Sequence, residues 1–215
     1  MIVCKYTKTD NAVFIPHLDL LRSFTMALRR QRLQINFSEG FNPHARIFFN
    51  QPLSLGASSV CEYLCADSSE DPKEFEKKLN ASLPGGIKIL KSAFSDTNPN
   101  VAAMMFAADY TVSFSRPVLK NNDFSRLLDK DELIISYQSK GKRVEKDVRA
   151  LVLSLKNDDC SVKMRLRCGN VNLRADRLTD HILKLCGQQE TPYVVEKTAV
   201  YDQNGNNLDK IFFGE

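Results

Sequence analysis

The sequence predicts an α+β protein built from two tandem ferredoxin-like (βαββαβ) lobes with antiparallel sheets. Three observations carry this. The first hundred or so residues alternate strand and helix signals in the order β-α-β-β-α-β. A linker-like stretch, Ser95-Asp96-Thr97-Asn98-Pro99-Asn100, follows. Beyond it the pattern restarts. The expected lobes are residues 1–97 and 98–215.

The elements follow in order. Residues 2–7 alternate apolar and polar positions, as a half-buried strand does. After Thr9-Asp10-Asn11 and Pro16, Leu20, Leu21, Phe24, Ala27 and Leu28 set a helical stripe over 17–32. Residues 37–44, rich in Gly, Asn and Pro, read as an irregular loop. Strands are expected at 46–53 and 60–66. Asp71-Pro72 supplies a cap and a first-turn proline for a helix that Pro84-Gly85-Gly86 stops. A strand over 87–94 completes the first lobe. In the second, strands are expected at 110–114, 133–139, 150–156, 160–167 and 193–201. Helices are expected at 121–129 and 175–186. Asn204-Gly205 signals a hairpin turn before a final segment, 208–213.

Composition narrows the function classes. With 43% hydrophobic and 26% charged residues, the 215-residue chain is not of the disordered type. No apolar run approaches the roughly 18 residues of a membrane helix. The start lacks a signal-peptide layout, and six cysteines without export read as reduced thiols. The expected compartment is the cytoplasm, with no membrane partner. A net charge of +4 permits an anionic partner without demanding one.

Cofactor signals are poor. Cys61 and Cys65 are the only close cysteine pair, with Ser68 where a third cluster-binding cysteine would fall, and no Cys/His quartet accompanies them. Phosphate-loop, dinucleotide and serine-hydrolase motifs are absent. The expectation is no cofactor and no metal.

The informative stretch runs from His17 to Arg46. Its helix carries Arg22, Arg29, Arg30 and Arg32 against one acid, Asp19, and spacing puts Asp19, Arg22 and Arg29 on one face. Asp19 pairing with Arg22 on a solvated face is the plain reading; a bound anion between the arginines is the functional one. In Ser38-Glu39-Gly40-Phe41-Asn42-Pro43-His44, Gly40 and Asn42 permit unusual backbone shapes. Such a loop can present amides and the His44 imidazole to an anion or a base edge. His17 and His44 flank the basic helix, and a histidine pair at one phosphate could cleave RNA. The second lobe adds a basic run, 140–149, read as a loop with Lys146 and Arg149. It also has Lys163, Arg165 and Arg167 alternating along a strand, then Arg174. Few aromatics interleave there, so phosphate contact is favoured over base stacking.

Several segments carry a resemblance. They are Phe14-Ile15-Pro16-His17-Leu18-Asp19-Leu20, Ala27-Leu28-Arg29-Arg30, Ser38-Glu39-Gly40-Phe41-Asn42-Pro43-His44 and Pro52-Leu53-Ser54-Leu55-Gly56. Glu62-Tyr63, 79–86, Lys146-Asp147-Val148-Arg149 and Leu173-Arg174-Ala175-Asp176 continue it, with Ala175 where proline is usual. The chain resembles the radical SAM-linked, or radical SAM-associated, bacterial proteins. That resemblance implies a radical SAM protein, encoded beside it or fused to it, as partner. The basic helix and glycine loop also look like those of CRISPR RNA-processing proteins built from tandem ferredoxin-like folds.

The expected function is a non-enzymatic accessory module, RNA-binding or substrate-presenting, working with a radical SAM protein. Its contact set is His17, Asp19, Arg22, Arg29, Arg30, Ser38, Gly40, Asn42, His44, Lys146, Arg149 and Arg174. The alternatives are a metal-independent ribonuclease using His17 and His44, and a structural partner or small-anion binder.

Overall fold

The computed structural model describes residues 1–120, 122–139 and 141–214. The expected helix start at Asn121 and the cation Lys140 lie outside them. The chain is a mixed α+β protein, rich in strands that pair mostly antiparallel. It divides into two compact units, Met1–Met105 with Tyr201–Glu215, and Phe106–Val200.

In the first unit β1 (Ile2–Lys8) leads through a 3-10 turn, Asp10–Phe14, to α1 (His17–Arg30). β2 (Ile47–Phe49), β3 (Ser58–Ala66), α2 (Pro72–Asn80), β4 (Ile89–Phe94) and a short α3 (Val101–Met104) follow. The strands lie in the order β4-β1-β3-β2, and each of these pairings is antiparallel. α1 buries Leu20, Phe24, Ala27 and Leu28, the expected stripe apart from the half-buried Leu21, in a core with Ile2, Cys4, Tyr6, Leu64, Phe75 and Leu79. Asp71 caps α2 by accepting from the N–H groups of Lys73 (2.9 Å) and Glu74 (3.0 Å). β2 is shorter than the expected 46–53, because Asn50 turns in to a buried partner and Pro52 has no N–H to donate.

The second unit holds β5 (Ala107–Phe114), a 3-10 helix (Phe124–Asp129), β6 (Ile134–Ser139) and β7 (Lys142–Asp147). β8 (Val152–Asn157), β9 (Ser161–Arg167), α4 (Ala175–Leu185) and β10 (Tyr193–Tyr201) complete it. Four strands run in the order β10-β5-β9-β8, and β6-β7 form a separate antiparallel ribbon. The 3-10 helix replaces the α-helix expected from Asn121. Its buried residues, Phe124 and Leu127, are three apart, the spacing a 3-10 turn puts on one side. The basic run expected as a loop is instead mostly strand. Asp147 closes the ribbon by accepting from the N–H groups of Leu133 and Arg149 (both 2.9 Å).

The chain end departs from expectation. Asn204-Gly205 does turn, with Gly205 at φ 80°, but residues 208–213 form a helix, α5 (Leu208–Phe213). Asn207 caps it by accepting from the Asp209 N–H, and Leu208 is buried. Asp209 then accepts from the hydroxyl of Tyr63 (2.8 Å) and from the ammonium of Lys5. Residues 201–215 therefore belong with the first unit, as does α3, whereas the sequence suggested a division at 97/98. None of the six cysteines is in a disulfide; burial is the main cause raising the Cys4, Cys65 and Cys186 thiols, with Cys65 reaching about 11. No helix among the described residues is long and apolar enough to cross a membrane.

Candidate functional site

Loop 38–44 stands on a fixed base. The Asn36 N–H donates to the Asp67 carbonyl (2.8 Å), and the Asn36 amide and the Arg46 guanidinium both reach the Asp67 carboxylate (2.9 and 3.1 Å). The Arg46 N–H returns to the Asn36 carbonyl at 2.9 Å. Above this base Phe37 bridges Ala45, and the Ser38 N–H donates to the His44 carbonyl (2.9 Å). The Ser38 hydroxyl accepts from the His44 N–H (3.1 Å) and lies 2.9 Å from His44 Nδ1. The loop is thus a closed ring that leaves Nε2 of His44 as the imidazole's remaining nitrogen.

Gly40, at φ 110°, makes the turn at the tip, and the side chain of Phe41 is wholly in solvent. Phe37 and Phe48 are also exposed. Together with His44 and Arg46 they line a groove of about 410 Å³. By composition alone three phenylalanines would be assigned to the core. Here Phe48 is surface because β2 is a short edge strand and the ring points away from the face that carries Phe49 and α1, while Phe37 and Phe41 belong to the loop.

The rest of the expected set is placed differently. Asp19 and Arg22 form an exposed ion pair at 2.8 Å, worth about 0–1 kcal/mol. Arg29 and Arg30 are exposed in the last turn of α1, where the helix dipole favours cations, and make no ion pair among the described residues. The two histidines, weighed above as a pair at one phosphate, stand on different sides of β2. His17 packs its ring edge-on to Phe49 (5.8 Å between centroids), whereas His44 lines the groove of Phe48, and alternate residues of β2 face opposite ways.

His17 instead stands at the mouth of a polar crevice inside the first unit. Tyr6, Lys8, Asn50 and Glu62 line it, with an internal cavity of about 10 Å³, room for roughly one water. Lys8 and Glu62 are 3% and 2% exposed. Asn50 donates to the Glu62 carboxylate at 3.0 Å, and the Lys8 ammonium reaches the Val13 carbonyl at 3.4 Å. Burial lowers the Lys8 pKa and Glu62 opposes that; burial, then Glu62, pushes the Tyr6 hydroxyl well up. The signal for this cluster was present in the sequence: Glu62 shares its face with Leu64 and Ala66, a charge at a core position of β3.

In the second unit two residues of the expected contact set are engaged by partners within the protein. The Arg149 guanidinium donates to the carbonyls of Leu128, Lys130 (3.2 Å) and Val152 (3.4 Å), tying the 3-10 helix to β8. Arg174 grips Asp176 through two donors at the start of α4. Lys146 is exposed on β7. Arg149→Ala is therefore expected to lower stability by about 2 kcal/mol, the scale of charged-donor hydrogen bonds, and to leave any RNA affinity unchanged. A thermal melt and a binding titration on the same sample check this; an affinity loss without a stability loss would reverse the assignment. Among the described residues no group of three or more His, Cys, Asp or Glu could hold a metal ion.

Comparison with known proteins adds a family. Residues 1–175 match the model of DUF2344, described as an uncharacterized protein conserved in bacteria. No functionally curated protein matches the sequence. Among solved structures, the chain is similar to one in the crystal structure of a Cbf5-Nop10-Gar1 complex, at 12% identity and a TM-score of 0.44, over 94% of this chain and 50% of that one. This chain thus spans about half the length of that relative. An unknown protein from Galdieria sulphuraria aligns over 91% of this chain and 96% of its own, at 12% identity and a TM-score of 0.28.

Proposed function

Given that the chain belongs to DUF2344, an uncharacterized family conserved in bacteria, we propose from its own residues that it is an RNA-binding accessory module that is not itself an enzyme. The observation that carries this is the groove beside loop 38–44. Solvent-facing Phe37 and Phe48 line it with His44 and with Arg46, whose guanidinium also reaches the Asp67 carboxylate, and exposed Phe41 stands at the tip of the loop. Single-stranded nucleic acid is held by this combination: aromatic faces take bases, at about 1–3 kcal/mol each, and cations take phosphates. A groove held open before binding spends little entropy on ordering. Arg29 and Arg30 extend the cationic surface of the same unit.

The strand orders support the architectural side of the proposal. Both β4-β1-β3-β2 and β10-β5-β9-β8 follow the ferredoxin-like order, the second lobe carrying the β6-β7 ribbon in place of its first helix. The proposed partner is a radical SAM enzyme in the cytoplasm, on the strength of the sequence resemblance. The ribonuclease alternative needs two imidazoles at one phosphate, and residues on opposite sides of β2 offer no such site.

The test is a titration with single-stranded oligonucleotides over a salt series. Phe41→Ala is expected to weaken binding about tenfold, from the loss of one base stack, with the melting temperature unchanged because the side chain touches nothing. Arg29→Ala with Arg30→Ala should weaken binding and flatten its salt dependence. Wild-type binding that neither change alters would remove loop 38–44 as its site, and a wild-type chain that binds no oligonucleotide would remove the RNA reading and leave the structural-partner one.

A further inference from the structure

The sheet of the second unit has a polar face with an unusual charge arrangement. β9 lies between β5 and β8. Val162, Met164 and Leu166 are buried, so Lys163, Arg165 and Arg167 point to the opposite face. Register sorts them into rows. In one row Asp109 of β5, Arg165 of β9 and Ser154 of β8 are neighbours, and Asp109 grips Arg165 through two bonds of 2.6 and 2.8 Å. That row is neutral. Arg167 is also committed, its guanidinium lying 3.7 Å from the centre of the Phe106 ring.

The next row is Thr111, Lys163 and Lys156. The two lysines are directly opposite across the strands, both exposed, and neither makes an ion pair among the described residues. The acid whose field reaches Lys163 is Asp158, and its carboxylate is held by the Ser161 hydroxyl (2.7 Å) and the Cys160 N–H (2.8 Å). Like charges in directly opposed positions destabilise a sheet. A hollow of about 430 Å³ lies over this row and the neutral Asp109–Arg165 row beside it, edged by the hydroxyls of Thr111, Ser154 and Thr198. Two ammonium groups on flexible stems, rooted about 5 Å apart at Cβ with hydroxyls around them, match one tetrahedral anion between them.

We propose that Lys156 and Lys163 hold a backbone phosphate of a bound nucleic-acid strand on this sheet face. The proposal takes the kind of polymer from the RNA reading of the first unit, but its residues and its test are separate. The structure holds two like charges together, and an anion is what converts that repulsion into attraction.

Lys156→Glu, in the full chain, tests it by opposite movements. The new carboxylate faces Lys163 and makes a cross-strand ion pair, so the melting temperature should stay level or rise. Affinity for a labelled single-stranded oligouridylate should fall about tenfold at low salt, and the slope of log affinity against log salt should flatten by roughly 0.7 for each phosphate no longer neutralised. Lys163→Glu should behave alike. If the variants keep wild-type affinity and slope, the proposal is overturned and the lysines form a solvated face only. It is equally overturned if the wild-type chain binds none of the oligonucleotide. If Phe41→Ala binds normally while Lys156→Glu does not, the loop site of the first unit falls and this one stands.

Discussion

Gly86→Ala is expected to destabilise the first unit by about 3 kcal/mol or more, while its neighbour Gly85→Ala stays within about 0.5 kcal/mol. Gly86 sits at φ 83°, and a Cβ there would lie 2.2 Å from the carbonyl oxygen of Thr9 and 3.0 Å from Cβ of Ala12. The left-handed backbone alone costs a substituted residue about 1–2 kcal/mol. The clash is worse than that figure suggests, since the obstructing atom is backbone and cannot rotate away. Moreover, the Gly86 carbonyl accepts from the Thr9 N–H (2.8 Å) and hydroxyl (3.2 Å), so moving Gly86 breaks the link between β1 and the turn after α2. Gly85 has nothing within 4 Å of its added Cβ and no positive φ. In a chain of this size each kcal/mol moves the melting temperature by about 2–4 °C, so the two alanines should melt roughly 6–12 °C apart. Equal melting temperatures would show that the turn relaxes and that the close approach is not fixed.

What the sequence disclosed depended on whether the deciding partner was near in the chain. Asp71-Pro72 caps α2 through N–H groups two and three residues on, and the β8-β9 pairing crosses a three-residue turn; both are local and both were legible. α5 was not. Asn204-Gly205 announces a turn equally well before a strand or a helix, and what fixes Asp209 is Tyr63 and Lys5, 146 and 204 residues away. The same distinction holds at the sites. Loop 38–44 was legible as irregular, because Gly40, Asn42 and Pro43 are backbone statements. That Phe48 faces solvent was not, because hydrophobic residues are normally assigned inward and β2 is too short to show its alternation. Arg149 and Arg174 looked free for a ligand, since nothing local betrays a guanidinium aimed at carbonyls 19 and 21 residues back or one already forked on Asp176.

The buried charges yield the second large effect. Glu62→Ala is expected to lower stability by about 3–5 kcal/mol, the cost of stranding a buried charge when its counter-ion is removed. Among the described residues Lys8 would keep the Val13 carbonyl as its acceptor, with no carboxylate beside it in the crevice, and Asn50 would lose its own acceptor. The double change Lys8→Met with Glu62→Leu should recover the part of the loss that comes from Lys8, because an apolar side chain there carries no desolvation cost, while the buried Asn50 amide still lacks its acceptor. The pH dependence has a definite sign. Burial lowers the Lys8 pKa below its ordinary value of 10.5. Between the folded and unfolded values the unfolded chain therefore binds more protons, and stability rises as pH climbs through that window. Glu62 raises the Lys8 pKa and so narrows the window from below; without it, the folded value drops further and the rise begins at lower pH. Urea titrations at neutral pH and near pH 10 should accordingly show Glu62→Ala regaining stability on the alkaline side more than wild type does. A single variant as stable as wild type, or one with the wild-type pH profile, would mean that water enters the crevice and screens Lys8, and that the cluster beneath His17 is a wet cleft rather than a closed polar core.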